Sequence, residues 1–201
     1  ETLTVSQTDT WRNLLNDVDF FLLLLSFDQD RSEEARAAGC PYCGSKLHYA
    51  RYTRKPRGAP AGLSAEYNRR ESLCCSADGC RRRVLPPSLR FFGRRVYLGP
   101  VFVLVNAMIN GITEKRAAEL YELVGVTIRT LARWRKWWRK TFPRTVFWQG
   151  SRARFMPPAD ESLLPASLLE CFTKPTESEH VLEVLRFLVP LTTGSNLLMG
   201  G

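Results

Sequence analysis

Trp11, Leu14, Leu15, Val18, Leu22 and Leu25 recur at helical spacing, which predicts one amphipathic helix over residues 10–26, capped by Asp9 or Thr10. Phe20, Phe21, Leu23 and Leu24 widen its apolar stripe until the second half is nearly encircled. Such a helix must be buried, against the rest of the chain or, as the alternative, against a second copy in a homodimer. Residues 28–38 follow as a polar, charged continuation.

Beyond residue 40 the pattern turns to short β-like stretches, 46–53 and 69–75. Between them, residues 55–62 are rich in Pro, Gly and basic side chains and predict an exposed, mobile hairpin tip. Helices return after Pro86 and Pro87. Residues 96–110 are strongly apolar, with Gly111 as the stop; Thr113 caps a helix reaching Val124, which Gly125 ends. Thr127 caps the next helix, which reaches Thr141 ahead of Pro143. In the tail, Pro157, Pro158 and Pro165 break the chain before a helix over 178–189, whose Val181, Leu182, Leu185, Leu188 and Val189 form one apolar face before Pro190. The closing Gly-Ser-Asn-Leu-Leu-Met-Gly-Gly reads as frayed.

Charge changes this picture from a list of elements to an asymmetric molecule. The 201 residues carry 29 Lys+Arg and 20 Asp+Glu, a net charge of +9. Residues 1–39 sum to −5, residues 40–150 to +16 and residues 151–201 to −2. The positive field belongs to the middle of the chain, which points to a polyanionic partner there. No segment has the ~18 consecutive apolar residues of a membrane span. The run 20–25 follows Asp17 and Asp19 rather than basic residues and makes a poor signal peptide, so a reducing, cytoplasmic setting is expected.

In that setting clustered cysteines read as metal ligands before disulfides. Cys40-Pro-Tyr-Cys43-Gly44 brings two thiolates onto one metal if the backbone turns tightly between them. Cys75-Ser-Ala-Asp-Gly-Cys80 supplies the second pair through a longer turn, and 31 residues separate Cys43 from Cys75, room for a hairpin. The expected cofactor is therefore a structural Zn2+ held by Cys40, Cys43, Cys75 and Cys80. Cys74 competes with Cys75, since neighbours on a strand face opposite ways; Cys75 makes the tighter knuckle and leaves Cys74 as a small buried hydrophobe. His48 is expected at or near the surface, and Cys171, alone in the tail, as structural. A redox dithiol is disfavoured by the second pair, and a catalytic zinc by a chain with 2 histidines and four available thiolates.

Residues 113–140 have the layout of a helix-turn-helix. Ala117 and Ala118 allow close helix crossing, Gly125-Val126-Thr127 supplies turn, buried plug and cap, and Leu131, Trp134 and Trp138 share one face. Arg129, Arg133, Lys136 and Lys140 follow another face, and Thr130 lies beside the first of them. The first helix is about one turn longer than in the common motif. Further cations sit in the hairpin (Arg54, Lys55, Arg57) and after the last cysteine (Arg81, Arg82, Arg83, then Arg90, Arg94 and Arg95). Tyr49, Tyr52, Phe91, Phe92 and Tyr97 interleave with them, as ribbon packing or as stacking platforms.

Residues 40–140 resemble the zinc-ribbon-plus-helix-turn-helix proteins found with bacterial insertion elements and transposases, and the two knuckles are similar to the zinc finger of phage late-gene activators of the Ogr/Delta type. The resemblance covers half the chain and implies double-stranded DNA binding at element ends or at a promoter. Residues 1–39 and 151–201 resemble no family. The expected class is α+β: an N-terminal amphipathic helix and linker (1–39), a zinc ribbon (40–95), a three-helix helix-turn-helix module (96–142) and a proline-broken helical tail (143–201). The expected function is sequence-specific DNA binding in transposition or transcription, nucleoid-associated, with the acidic termini folding back or meeting a recombinase or other protein. A transposase or nuclease would need carboxylates converging on magnesium, and Asp160, Glu161, Glu170, Glu177, Glu179 and Glu183 lie in the short tail. The chain is therefore read as non-enzymatic, with a DNA-binding subunit of such an enzyme, or an RNA-binding or protein-bridging ribbon, as the alternatives.

Overall fold

The computed structural model describes residues 5–93, 97–108 and 114–193. Its class is α+β. Among the described residues there are eight α-helices, a three-stranded antiparallel sheet and a two-stranded one.

The N-terminal amphipathic pattern forms two helices, α1 (Val5–Asn16) and α2 (Val18–Ala38), rather than the single expected one. The break is at Asp17, whose extended backbone interrupts the helix and whose carboxylate accepts the amides of Asp19 and Phe20. The polar stretch 28–38 continues α2 as helix. Trp11, Leu14, Leu15, Phe20, Phe21 and Leu24 are buried, so the apolar face is covered within the chain, while Leu22 and Leu23 stay about two-fifths exposed, at 43% and 42%.

The alternating stretches form strands as expected: β1 (Leu47–Tyr49), β2 (Tyr52–Thr53), β3 (Arg69–Arg70), β4 (Leu73–Cys75) and a fifth strand, β5 (Arg83–Val84). The register pairs Leu47 with Cys75 and His48 with Cys74, and Cys74 in turn with Arg83. Leu47, Leu73 and Cys75 are buried on one side against Ala35 of α2. His48, Cys74 and Arg83 therefore share the opposite side.

The segment 55–62 is not the free tip its composition suggested. Arg57 forms a parallel bridge with Tyr97, the Leu98 amide donates to the Arg57 carbonyl at 3.2 Å, and Gly58 lies against Val101. A Cβ at Gly58 would fall 2.7 Å from the Val101 methyl carbon, on a backbone with φ +80°, so only glycine fits.

The central helix α3 (Gly99–Ala107) is buried along its whole length, packed by α1, α5 (Ile128–Lys136), α7 (Ala166–Glu170) and α8 (Glu177–Leu188). Its expected stop at Gly111, the Thr113 cap, Arg94, Arg95 and the C-terminal Gly-Ser-Asn-Leu-Leu-Met-Gly-Gly lie outside the described residues. One continuous apolar core joins α1, α2, Tyr67, residues 89–92, α3 and the helices that follow. The tail helix α8 starts on a Thr176–Glu179 capping box, and its face of Val181, Leu182, Leu185 and Leu188 is buried as the periodicity predicts.

Inside this core sits a fully buried ion pair. Asp28 of α2 accepts from Arg90 Nε at 2.9 Å, from Ser88 Oγ and from the Leu89 amide at 2.7 Å. Arg90 also donates to the carbonyls of Tyr67 and Arg69. Arg90, expected among the surface cations that follow the last cysteine, is thus a core residue with no exposure. Removing one partner leaves the other charge buried and unpaired. Arg90→Met alone should lower the unfolding free energy by about 3–5 kcal/mol, measured by chemical denaturation; a loss below about 1 kcal/mol, the scale of an exposed pair, would show that the pair does not hold the segments together.

Candidate metal centre and basic helix face

The two knuckles fold by the same device. In the first, the Cys40 amide donates to the Ser45 carbonyl and the Gly44 amide to the Cys40 carbonyl, both at 2.8 Å. In the second, the amides of Cys80 and Arg81 both reach the Ala77 carbonyl at 3.0 Å. The residue after the closing cysteine is left-handed in each, Gly44 at φ +73° and Arg81 at φ +44°. The first knuckle meets this geometry with glycine; the second imposes it on an arginine, at the cost of the Cβ–carbonyl crowding that L-residues avoid.

The sulfurs of Cys40, Cys43, Cys75 and Cys80 all lie within 4.8 Å of one another. Cys40 Sγ is 3.8 Å from Cys80 Sγ, and Cys43 Sγ is 3.4 Å from Cys75 Sγ. A disulfide needs about 2.05 Å, whereas a tetrahedral site with metal–sulfur bonds of about 2.3 Å has edges of about 3.8 Å. The cluster therefore has the dimensions to hold a metal ion. Within the cluster the hydroxyl and amide of Ser45 hold the Cys43 thiol low, at about 6. At Cys75 the Ala77 amide favours the thiolate, yet burial and the neighbouring sulfurs push the thiol up to about 12. For all four to ionise together at this spacing, a cation would have to lie among them.

Cys74 lies outside the cluster and is not the buried hydrophobe expected of it. It is half-exposed on the opposite side of the sheet, its Sγ 3.6 Å from the Arg81 carbonyl. His48 is exposed there as well, and Cys171 contacts the Ser167 carbonyl at 3.2 Å far along the chain.

The second candidate feature is the pair α4 (Glu114–Val124) and α5, joined by Gly125, Val126 and Thr127. Gly125 takes φ +66°, Val126 is fully buried and Thr127 accepts the Thr130 amide, each in the role its residue type suggested. Leu131, Trp134 and Trp138 are buried, and a π-helical turn (Trp137–Thr141) carries the helix on toward Pro143. Arg129, Arg133, Lys136 and Lys140 are exposed and Thr130 is half-exposed. Ala117 is buried at the crossing, but Ala118 faces out. Tyr97, which the sequence left between ribbon packing and stacking, is buried instead against this pair: its hydroxyl donates to the Gly125 carbonyl at 2.8 Å and its ring meets Trp134 edge-on at 4.9 Å.

The remaining cations divide. Lys55, Arg57, Arg81, Arg82 and Arg83 are exposed, with Arg82 stacked over Tyr42 and Arg83 over Tyr52. Arg54 is half-buried, its guanidinium over Phe91 and 2.9 Å from the Gly93 carbonyl. Phe91 and Phe92 are core residues, whereas Tyr49 and Tyr52 keep about two-fifths of their surface, 40% and 38%. The tail carboxylates are spread among structural partners: Glu161 accepts from the Trp148 indole, Glu177 from the Trp11 indole, Glu179 closes the capping box and Glu183 pairs with Arg186. Among the described residues the four cysteines alone form a metal-sized group of three or more ligand side chains. No described helix is long and apolar enough to cross a membrane.

Comparison of the chain with protein-family models, with curated proteins and with solved structures finds no match.

The purified protein should contain about one thiolate-bound metal ion per chain, and Cys43→Ser or Cys80→Ser should release it and loosen residues 40–84, because binding and folding are coupled. Elemental analysis of each variant checks this, with Cys74→Ser retaining the metal. Retention by Cys75→Ser but not by Cys74→Ser would exchange the third ligand for its neighbour.

Proposed function

We propose that this protein is a sequence-specific double-stranded DNA-binding protein whose small β unit is a zinc ribbon and whose α4–α5 pair is a helix-turn-helix. The observation that carries the reading is the division of α5 and the π-helical turn that continues it: Leu131, Trp134 and Trp138 anchor one side in the core, while Arg129, Arg133, Lys136 and Lys140 stand exposed on another. A helix anchored in this way can enter the major groove, where Arg129 and Arg133 reach the O6 and N7 of guanine and Thr130 lies beside them. Lys136 and Lys140, with Lys55, Arg57 and Arg81 to Arg83, would hold phosphates and fix the register.

Zinc suits the cysteine cluster because four thiolates at tetrahedral spacing form a closed site for a soft-tolerant ion without redox chemistry. With all four positions filled by protein, the ion's role is to hold the ribbon. The resemblance of the knuckles and the helix pair to insertion-element and phage-activator proteins supports transposition accessory or transcriptional regulator as the role. In either, the protein acts by binding rather than catalysis, and the acidic ends are left for a recombinase or another protein.

Arg129→Ala and Arg133→Ala should each weaken binding to a selected duplex by about 1–3 kcal/mol and relax preference at one base pair. Trp134→Ala should unfold the helical pair instead. Competition of the selected duplex against RNA of the same sequence, followed by fluorescence anisotropy, is the check. Unchanged affinity and preference on removing both arginines would sink the recognition-helix assignment; preference for RNA would favour an RNA-binding ribbon.

A further inference from the structure

The sequence places the hairpin cations and the recognition helix more than 70 positions apart (Arg57 to Arg129), as two separate contributions. The fold brings their backbones together through one residue. Arg57 bridges to Tyr97, and the Leu98 amide reaches the Arg57 carbonyl at 3.2 Å. Tyr97 then spans to the helix pair, its hydroxyl 2.8 Å from the Gly125 carbonyl and its ring against Trp134 of α5. From the loop to the turn there are thus three short links: one bridge of about 4.8 Å, one tyrosine side chain and one hydrogen bond.

The loop is fixed on both sides of Arg57. Arg54 is tied to Gly93 and Phe91 on the way in, and Gly58 presses on Val101 of α3 on the way out. Pro56 shortens the segment's freedom further. What this clamp leaves in solvent is Lys55 and Arg57. Residues 54–63 contain no acidic side chain, and neither do residues 128–140, so the loop and α5 present the same sign of charge.

Resting on the DNA-binding reading of α5, we infer that the loop carrying Lys55 and Arg57 and the first turn of α5 form one preassembled surface on duplex DNA. In it Lys55 and Arg57 grip phosphates directly beside the base pairs that Arg129 reads, and Tyr97 is the positioning residue that sets the two parts in register. A half-turn of duplex is about 17 Å, and three links of this length keep the loop within that reach of the turn that opens α5. A preassembled arm binds without an ordering cost, unlike a mobile one that must be fixed on contact. The loop and the helix are then one binding site for a polyanion, with the arm supplying grip and the helix supplying choice.

The test uses the full, metal-loaded chain and a duplex selected by the wild type, mapped by phosphate-ethylation interference over a range of salt. Lys55→Ala with Arg57→Ala should lose interference at phosphates within about 5 base pairs of the position where Arg129→Ala relaxes preference. The slope of log affinity against log salt should fall by about 2 in magnitude. Gly58→Ala keeps both charges but forces the loop off Val101, and should lose the same phosphates and the same part of the slope. Tyr97→Phe keeps the ring and deletes only the bond to Gly125; metal content should stay unchanged while base preference at the Arg129 position relaxes. That variant carries the positional test by itself if Gly58→Ala fails to fold. Phosphates a full turn or more from the Arg129 position overturn the inference, as does wild-type binding by Tyr97→Phe together with any folded Gly58→Ala. A wild type that selects no duplex brings down the underlying DNA reading along with it.

Discussion

The buried pair between Asp28 and Arg90 is the constraint on which the rest of the structure depends. Three segments distant in sequence meet at it: α2 through Asp28, the backbone entering β3 through the carbonyls of Tyr67 and Arg69, and residues 88–90 through Ser88, Leu89 and Arg90 itself. Moving two charges out of water costs several kcal/mol each, and only good geometry with all remaining hydrogen-bonding positions filled repays it. Here both carboxylate oxygens and all three guanidinium nitrogens have partners. An arginine is suited to this because its planar fork reaches a carboxylate and two carbonyls at once, which a lysine does not. Ser88 extends the network to the far end of the chain, since its amide donates to Thr192. The pair fastens the β unit to the helical body, with α2 as the shared strut.

Apart from that pair and the contacts of Arg54, Arg57 and Tyr67 with the helical body, the β unit has little to hold it. Its own apolar cluster consists of Cys40, Leu47, Leu73 and Cys75 with a few partly buried neighbours, and its strands are two or three residues long. A core of that size does not offset the conformational entropy of ordering the loops around it, which is the general reason small units recruit a metal or disulfides. Two of the four sulfurs belong to that cluster, so the same side chains that would bind the ion also pack against Leu47 and Leu73. Metal binding there would coincide with core formation, and the arginines that project from the region, Arg81 to Arg83, would take their positions from both.

Much of this was legible from the sequence where local chemistry and tertiary structure agree. The knuckle cysteines, the Gly125–Thr127 turn, the buried Leu131–Trp134–Trp138 side and the tail helix are each specified by short-range patterns that the fold preserves. Two of the misses, Arg90 and the 54–62 segment, share a cause: a distant partner overrides a local pattern. Asp17 lies inside an unbroken apolar period, and only its capping of Asp19 and Phe20 reveals two helices instead of one. Arg90 follows an arginine-rich run and looks like surface charge until Asp28, 62 residues away, is placed against it. Arg54 and the 55–62 segment read as a mobile tip because nothing local announces Gly93, Phe91 and Tyr97 as their partners. Cys74 sits half-exposed because the strand alternation that turns Cys75 inward turns it outward. Gly58 carries a local sign of the packing: a glycine after Lys-Pro-Arg can mark close backbone approach as well as a turn.

The chain's function turns on whether metal-loaded protein chooses among duplex sequences, and selection from a random double-stranded DNA library at near-physiological salt measures that choice directly. The expected result is enrichment of a short common motif whose binding requires the thiolate-bound metal and shows a strong inverse dependence on salt. Equal recovery of all sequences, or enrichment that persists unchanged after the metal is stripped by a chelator, would contradict a zinc-ordered, sequence-reading DNA-binding protein.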